Sequence, residues 1–268
     1  RDAPELSDNA QGFERCIVRG LTPGPHQGGI VQNLQALGNA AAQVRERLGG
    51  DHRQWIASAT ALELLPASAR REELQATQAL RGLEQLTEVL SAITGAQTDR
   101  MTRDDGWRLL SIGRHIERLL LLGEALIVAF RSGAVHSDSG FNLLLALFDS
   151  TITYRALYQK RLEIPPLLDL LMLDRENPRA LGWVAQTLRA RMAKLPASAE
   201  DKAALLALAP DPDDWHLPEL CTHTNELHYN WLDLTLTQAI DGAWRLSDEI
   251  SRRYFAHANA PDRTLGGY

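Results

Sequence analysis

Residues 101–131 read MTRDDGWRLLSIGRHIERLLLLGEALIVAFR, and this stretch decides the fold class. Thr102 or Asp104 can cap a helix start, Ser132-Gly133 can end one, and nothing between them breaks it. At about 100° per residue, Ile112, Ile116, Leu119, Leu126 and Phe130 fall on one stripe. Trp107, Leu110, Arg114, Glu117, Arg118, Leu121 and Ala125 fall on the opposite one, so both faces of this central helix are expected to be covered. Its apolar run, from Leu119 to Phe130, contains Glu124 and is flanked by Arg118 and Arg131. That is too short for a bilayer span and reads as a buried core helix.

The same periodicity extends in both directions. Upstream, Ile30, Leu34, Leu37, Ala41, Val44 and Leu48 recur at steps of three and four and predict a helix over 28–48 closed by Gly49-Gly50. Asp51 caps a second helix over 51–65 stopped by Pro66, and a third is expected over 69–95. Downstream, one helix is expected over 139–161, and Pro165-Pro166 precede a short apolar one over 167–173. A turn at 174–178 then opens a helix ending near Leu195, and a final long helix is expected over 218–256. No segment alternates like a strand, so the predicted fold is an all-α, multi-helix bundle. A medium helix (28–48, then 178–195) is followed each time by a long one (69–95, then 218–256), which hints at duplication. Residues 1–27 read as a linker or lead-in segment, 28–257 as the helical domain, and 258–268 as a flexible tail.

Composition narrows the function classes. With 28 Lys and Arg against 34 Asp and Glu, the 268-residue chain carries a formal charge of -6 and has no lysine-rich run, which argues against nucleic acid. Cys16 and Cys221 stand far apart without a CxxC spacing and read as reduced thiols of a cytoplasmic protein. No serine elbow, phosphate loop or dinucleotide fingerprint is present, and no cofactor is expected.

One cluster invites a chemical reading. Arg114, Glu117 and Arg118 lie in line with Trp107 and Leu110, and partly buried guanidinium groups require carboxylate or anionic partners. Asp104, Asp105, Asp149 and Asp174 are the candidate partners if the cluster is an internal ion-pair network; otherwise Arg114 and Arg118 clamp an anionic ligand. Glu219, His223 and Glu226 share a face if the last helix begins at Pro218, but they lack the paired Glu-x-x-His elements of metal bundles, so no metal is expected. His136, His216 and His257 read as surface residues. Gly28-Gly29 sits at a helix start, where free amides could hold an anion and where capping explains it equally well.

The stretch Arg103-Asp-Asp-Gly-Trp-Arg-Leu-Leu-Ser-Ile-Gly-Arg-His-Ile-Glu-Arg118 resembles the signature of the bacterial alpha-E domain family. Leu170-Leu-Met-Leu-Asp-Arg-Glu-Asn-Pro-Arg-Ala180 is similar to that family's apolar-Asp-x-x-x-Pro-Arg turn, which brings in Arg179. Val44-Arg-Glu-Arg-Leu48 with Trp55 is similar to the end of its repeated helix. The resemblance covers 28–257 and implies two similar units, each begun by a Gly-Arg-x-x-Glu-Arg helix, of which this chain holds the copy at Gly113 to Arg118. A half and a full copy would then make this a C-terminal portion of a longer protein. The chain departs from the family pattern at Leu119 to Leu122 and at His26-Gln-Gly-Gly29.

The resemblance implies association with an ATP-grasp ligase domain in the same or a neighbouring chain, and with a peptide substrate. The expected role is therefore a helical accessory module of a peptide or amide-bond-forming system that docks or presents substrate. The alternative is a bundle enzyme acting on a peptide or amino-acid carboxylate, with Glu117 as acid or base and the arginines as clamp. The candidate ligand-binding set is Arg114, Glu117, Arg118, Asp105, Asp149, Asp174 and Arg179; no nucleic acid or membrane partner is expected.

Overall fold

The computed structural model describes residues 20–21, 29–65, 72–159, 161–224 and 228–255. Among these the regular structure is helical, as expected, and the chain divides into two compact units, residues 1–102 and 103–268. The first unit holds α1 (Ile30–Gln43), α2 (Gly50–Ala61) and α3 (Glu72–Asp99). α2 packs against both α1 and α3, burying Leu34, Ile56, Ala59, Leu64, Leu86 and Ile93. The Gly49-Gly50 pair opens α2 instead of closing α1, which ends earlier and passes into a turn of 3-10 helix at Arg45–Arg47. Extended Gly49 (φ -59, ψ 161) is the N-cap, so Asp51 lies inside the first turn, where its charge suits the helix dipole.

The second unit is organised on α4 (Asp105–Arg131). Asp104 accepts from the Trp107 backbone N–H at 2.9 Å and fixes the start, and Gly133 in the left-handed region (φ 71) leads the chain away after Ser132. The expected 139–161 helix is two helices, α5 (Asp138–Leu147) and α6 (Thr151–Tyr158), separated by Asp149 at φ 45. Ser150, at the break, is fully buried and receives a hydrogen bond from Asn177 at 3.3 Å. α7 (Ile164–Leu168) continues into one π turn (Asp169–Leu173) that sinks Leu170, Leu171 and Met172 into the core.

α8 (Leu181–Met192) follows, then α9 (Ala199–Leu208), which is capped by Ser198 and was not expected from periodicity. The predicted 218–256 helix is a short turn, α10 (Leu217–Leu220), and a separate long helix, α11 (Asn230–Tyr254). α8 and α11 both pack on α4, enclosing Ile112, Ile116, Leu119, Leu126, Val184, Leu188, Leu236 and Ala243. Arg131 ties the end of α4 to α11 through Asp233 at 2.5 Å and Thr237 at 3.3 Å. Leu119, Leu120 and Leu122, where the chain departs from the family pattern, are buried, but Leu121 is 67% exposed, so the second stripe of α4 is covered only in part. No helix among the described residues is long and apolar enough to cross a membrane.

Candidate anion-binding site

α4 and α8 run antiparallel, and three contacts set their register. Arg191 lies over the Trp107 ring at 4.6 Å, His115 stands 5.6 Å from the Trp183 ring, and Arg118 donates to the Pro178 carbonyl at 3.3 Å. Sequence position rises along α4 as it falls along α8, so cationic side chains from both helices collect along one seam. Trp107 is held on a second side by Arg103 at 4.1 Å.

The expected internal ion pairs do not form. Asp104 caps α4, Asp105 pairs with Arg108 at 2.5 Å, and Asp149 pairs with Arg179. Asp174 accepts from the Glu176 and Asn177 backbone N–H groups at 2.8 and 3.1 Å, closing the turn that delivers Arg179. Asn177 completes that turn by accepting from the Arg179 N–H at 3.1 Å and donating to the Leu170 carbonyl at 3.3 Å. Among the described residues, half-buried Arg114 makes no ion pair or side-chain hydrogen bond, Arg118 has only the Pro178 carbonyl, and exposed Glu117 pairs with neither. Several other arginines do find carboxylates: Arg100 meets Asp51 at 3.0 Å, Arg175 meets Asp213 at 3.1 Å, and Arg189 meets Asp211 at 2.6 Å.

Electrostatics follow from this arrangement. Burial first, and then Arg118, pulls the Arg114 guanidinium below its usual range, and burial and then Arg179 do the same to Arg118. Arg191 is lowered by burial, then by Arg103 and Arg108, and its Nε is buried with no hydrogen-bond partner. The seam therefore holds like charges whose repulsion an anion would relieve.

His115 lies between Arg114 and Arg118 along the seam. Its Nδ1 donates to the Ser111 carbonyl at 2.5 Å, and burial followed by Arg118, Arg114 and Arg191 keeps its pKa below the free value despite that bond. The folded chain thus holds His115 neutral where the unfolded chain begins to take up a proton, below about pH 6.5. Stability is expected to fall as pH drops from about 6.5 towards the folded pKa, and His115→Gln should flatten part of that loss in denaturant titrations at pH 7.5 and 5.5. Buried His52, also lowered by burial, adds the same dependence in the first unit and should be unaffected by the substitution.

Other candidate chemistry is weaker. α10 ends at Leu220, so Glu219 and His223 do not share a helix face, while Glu226 lies outside the described residues; no three metal-ligating side chains gather among those described. A cleft of about 400 Å³ is lined by Glu163, Cys221, His223 and Tyr229, but burial pushes the Cys221 thiol up, which opposes a thiolate nucleophile. Exposed His136 and His216 match expectation, whereas His257, Cys16 and Gly28 lie outside the described residues. Of the seam, α4 phasing identified Arg114 and Arg118. His115, Trp183 and Arg191 depend on the register of α8, and their only sequence signal is the step from Trp183 through Thr187 to Arg191.

The Alpha-E family, described as "a predicted alpha-helical domain with a conserved ER motif", matches over residues 2–255. The chain has Glu-Arg pairs at Glu14-Arg15, Glu46-Arg47 and Glu117-Arg118, the last on α4. Uncharacterised proteins of Mycobacterium bovis and of two Mycobacterium tuberculosis strains are each 29% identical over 186 residues, covering 66% of this chain. The chain spans 21% of the length of these relatives. No solved structure matches it. Because the family match spans all of the described residues, the Glu117-Arg118 pair among them, the chain belongs to the Alpha-E family.

Proposed function

We propose that this chain is a helical accessory module of an ATP-grasp-associated, peptide or amide-bond-forming system, and that it holds a carboxylate-bearing ligand at Arg114 and Arg118. The observation that carries the binding role is the pair of arginines one turn apart, one of them half-buried, with no carboxylate partner among the described residues, where eight other arginines do pair with one. A guanidinium matches a carboxylate in a bidentate fork, and bound anion would offset both desolvation and repulsion here. The ligase association rests on the sequence resemblance. Docking is supported by α5 and α6, which leave Leu143, Leu147, Ile152 and Leu157 from 57% to 86% exposed. The half-and-full duplication rests on the echo between the helix orders of the two halves.

A thermal-shift series with amino acids, short acidic peptides, nucleotides and divalent metals tests the binding role. Ligand at 100 times its dissociation constant adds about 2.7 kcal/mol to stability. The expected result is a shift with acidic compounds that disappears in folded Arg114→Ala. Acidic compounds that leave both proteins unshifted would overturn it, and peptide turnover by the chain alone would replace it with the enzyme reading.

A further inference from the structure

The cationic seam has two ends. At one, Arg114 and Arg118 lie a helical turn apart, and at the other Arg191 covers Trp107 with its Nε buried and unpartnered. From position 107 to position 118 a helix rises about 16 Å. At the first end His115 stands between Arg114 and Arg118 along the helix and faces Trp183, close enough to Arg114, Arg118 and Arg191 to be influenced by all three. The two ends therefore belong to one surface of the second unit.

Resting on the reading of Arg114 and Arg118 as an open carboxylate site, we infer that the α4–α8 seam binds an extended acidic peptide, with carboxylates engaged at both ends. Arg114 and Arg118 are separated along the helix axis by about 6 Å. Alternate side chains of an extended peptide recur at about 6.6 Å on one face, so an acid-x-acid pattern can meet both arginines. At about 3.3 Å per residue, roughly five residues span the seam to Arg191.

Nucleic acid fits the same surface less well. Non-specific single-strand binding uses free aromatic faces on which bases stack. Here Trp107 lies between Arg103 and Arg191, and Trp183 already faces His115. The chain's formal charge of -6 also disfavours a long polyphosphate backbone, whereas a short peptide samples only the local positive field.

The test is calorimetric titration of the full chain with acetylated, amidated oligoglutamates of one to seven residues, at low and at physiological salt. Blocked ends make the side-chain carboxylates the only charges. Affinity is expected to rise with length and level off near about five residues, and to fall with added salt. Arg114→Met should weaken every length about tenfold or more, whereas Arg191→Gln should weaken only the peptides long enough to reach it. The length series on the unmodified chain needs no variant to fold. A plateau at three residues or fewer, with Arg191→Gln silent, overturns the extended peptide and leaves the Arg114 and Arg118 site standing. Displacement of the longest peptide by equimolar inorganic pyrophosphate identifies a phosphate ligand and overturns the peptide assignment. No binding at any length overturns both this inference and the carboxylate site beneath it.

Discussion

Arg114→Met is expected to lower affinity for acidic ligands tenfold or more while leaving the melting temperature unchanged or slightly raised. Hydrogen bonds to charged groups contribute about 1.5–3 kcal/mol, and a tenfold change in affinity corresponds to about 1.4 kcal/mol. Methionine keeps most of the aliphatic stem against its neighbours and deletes the charge. In the free protein that charge is half-buried, lacks a carboxylate among the described residues and sits beside Arg118, so deleting it removes a cost of folding. Were Arg114 the centre of an internal ion-pair network, the same substitution would strand a buried carboxylate and destabilise by about 3–5 kcal/mol. Calorimetric titration and a melting curve on one sample separate the two cases.

Leu119→Ala is expected to give the largest loss of stability, about 2–5 kcal/mol, the range for removing a fully buried leucine. Leu119 is 0% exposed on the face of α4 that meets the core, and α8 and α11 pin that helix on either side. Leu121→Ala, two positions on and 67% exposed, should change stability by no more than about 0.5 kcal/mol. Guanidinium unfolding of both variants checks the phasing of α4. Equal losses would mean that Leu121 is covered, as the sequence pattern alone suggests.

That contrast shows how far the pattern could be read. The inward stripe of α4 and its end at Arg131 were legible, and its cap was narrowed to Thr102 or Asp104, because each rests on residues within one turn of the feature. The break between α5 and α6 was not, because no proline or glycine marks it; the left-handed Asp149 is held by tertiary bonds, from Arg179 to its carboxylate and from Asn177 to Ser150. The late start of α11 has a weak local signal, the poor helix formers Cys221-Thr-His-Thr-Asn225, which the apolar periodicity continuing from Tyr229 outweighs. α9 carries a local signal, Ser198 three residues before Asp201, whose N–H its hydroxyl accepts at 3.0 Å, but its ten residues, between Pro196 and the Pro-Asp patch at 210–214, are too few to show a full apolar stripe.

The candidate site divides along the same line. Helix phase put Arg114 and Arg118 together, since spacing along one helix is a local property. Their expected partners were misassigned, because whether a carboxylate caps a helix, closes a turn or pairs with a nearer arginine depends on backbone geometry. Asp105 and Asp174 bond within three residues of themselves, and Asp104 caps the helix three residues on. Arg191, Trp183 and His115 join the site only through the antiparallel register of α8 on α4.

Among the described residues Arg114 has no counter-ion, and a double-mutant cycle tests this most directly. Arg114→Met would be combined in turn with Asp105→Asn, Asp149→Asn and Asp174→Asn, with unfolding free energies measured for each single and double variant. Additivity within about 0.5 kcal/mol for all three pairs is the predicted result, leaving the guanidinium available to a ligand. A coupling of about 1 kcal/mol or more between Arg114 and any of these carboxylates would contradict it and make the cluster a packing device.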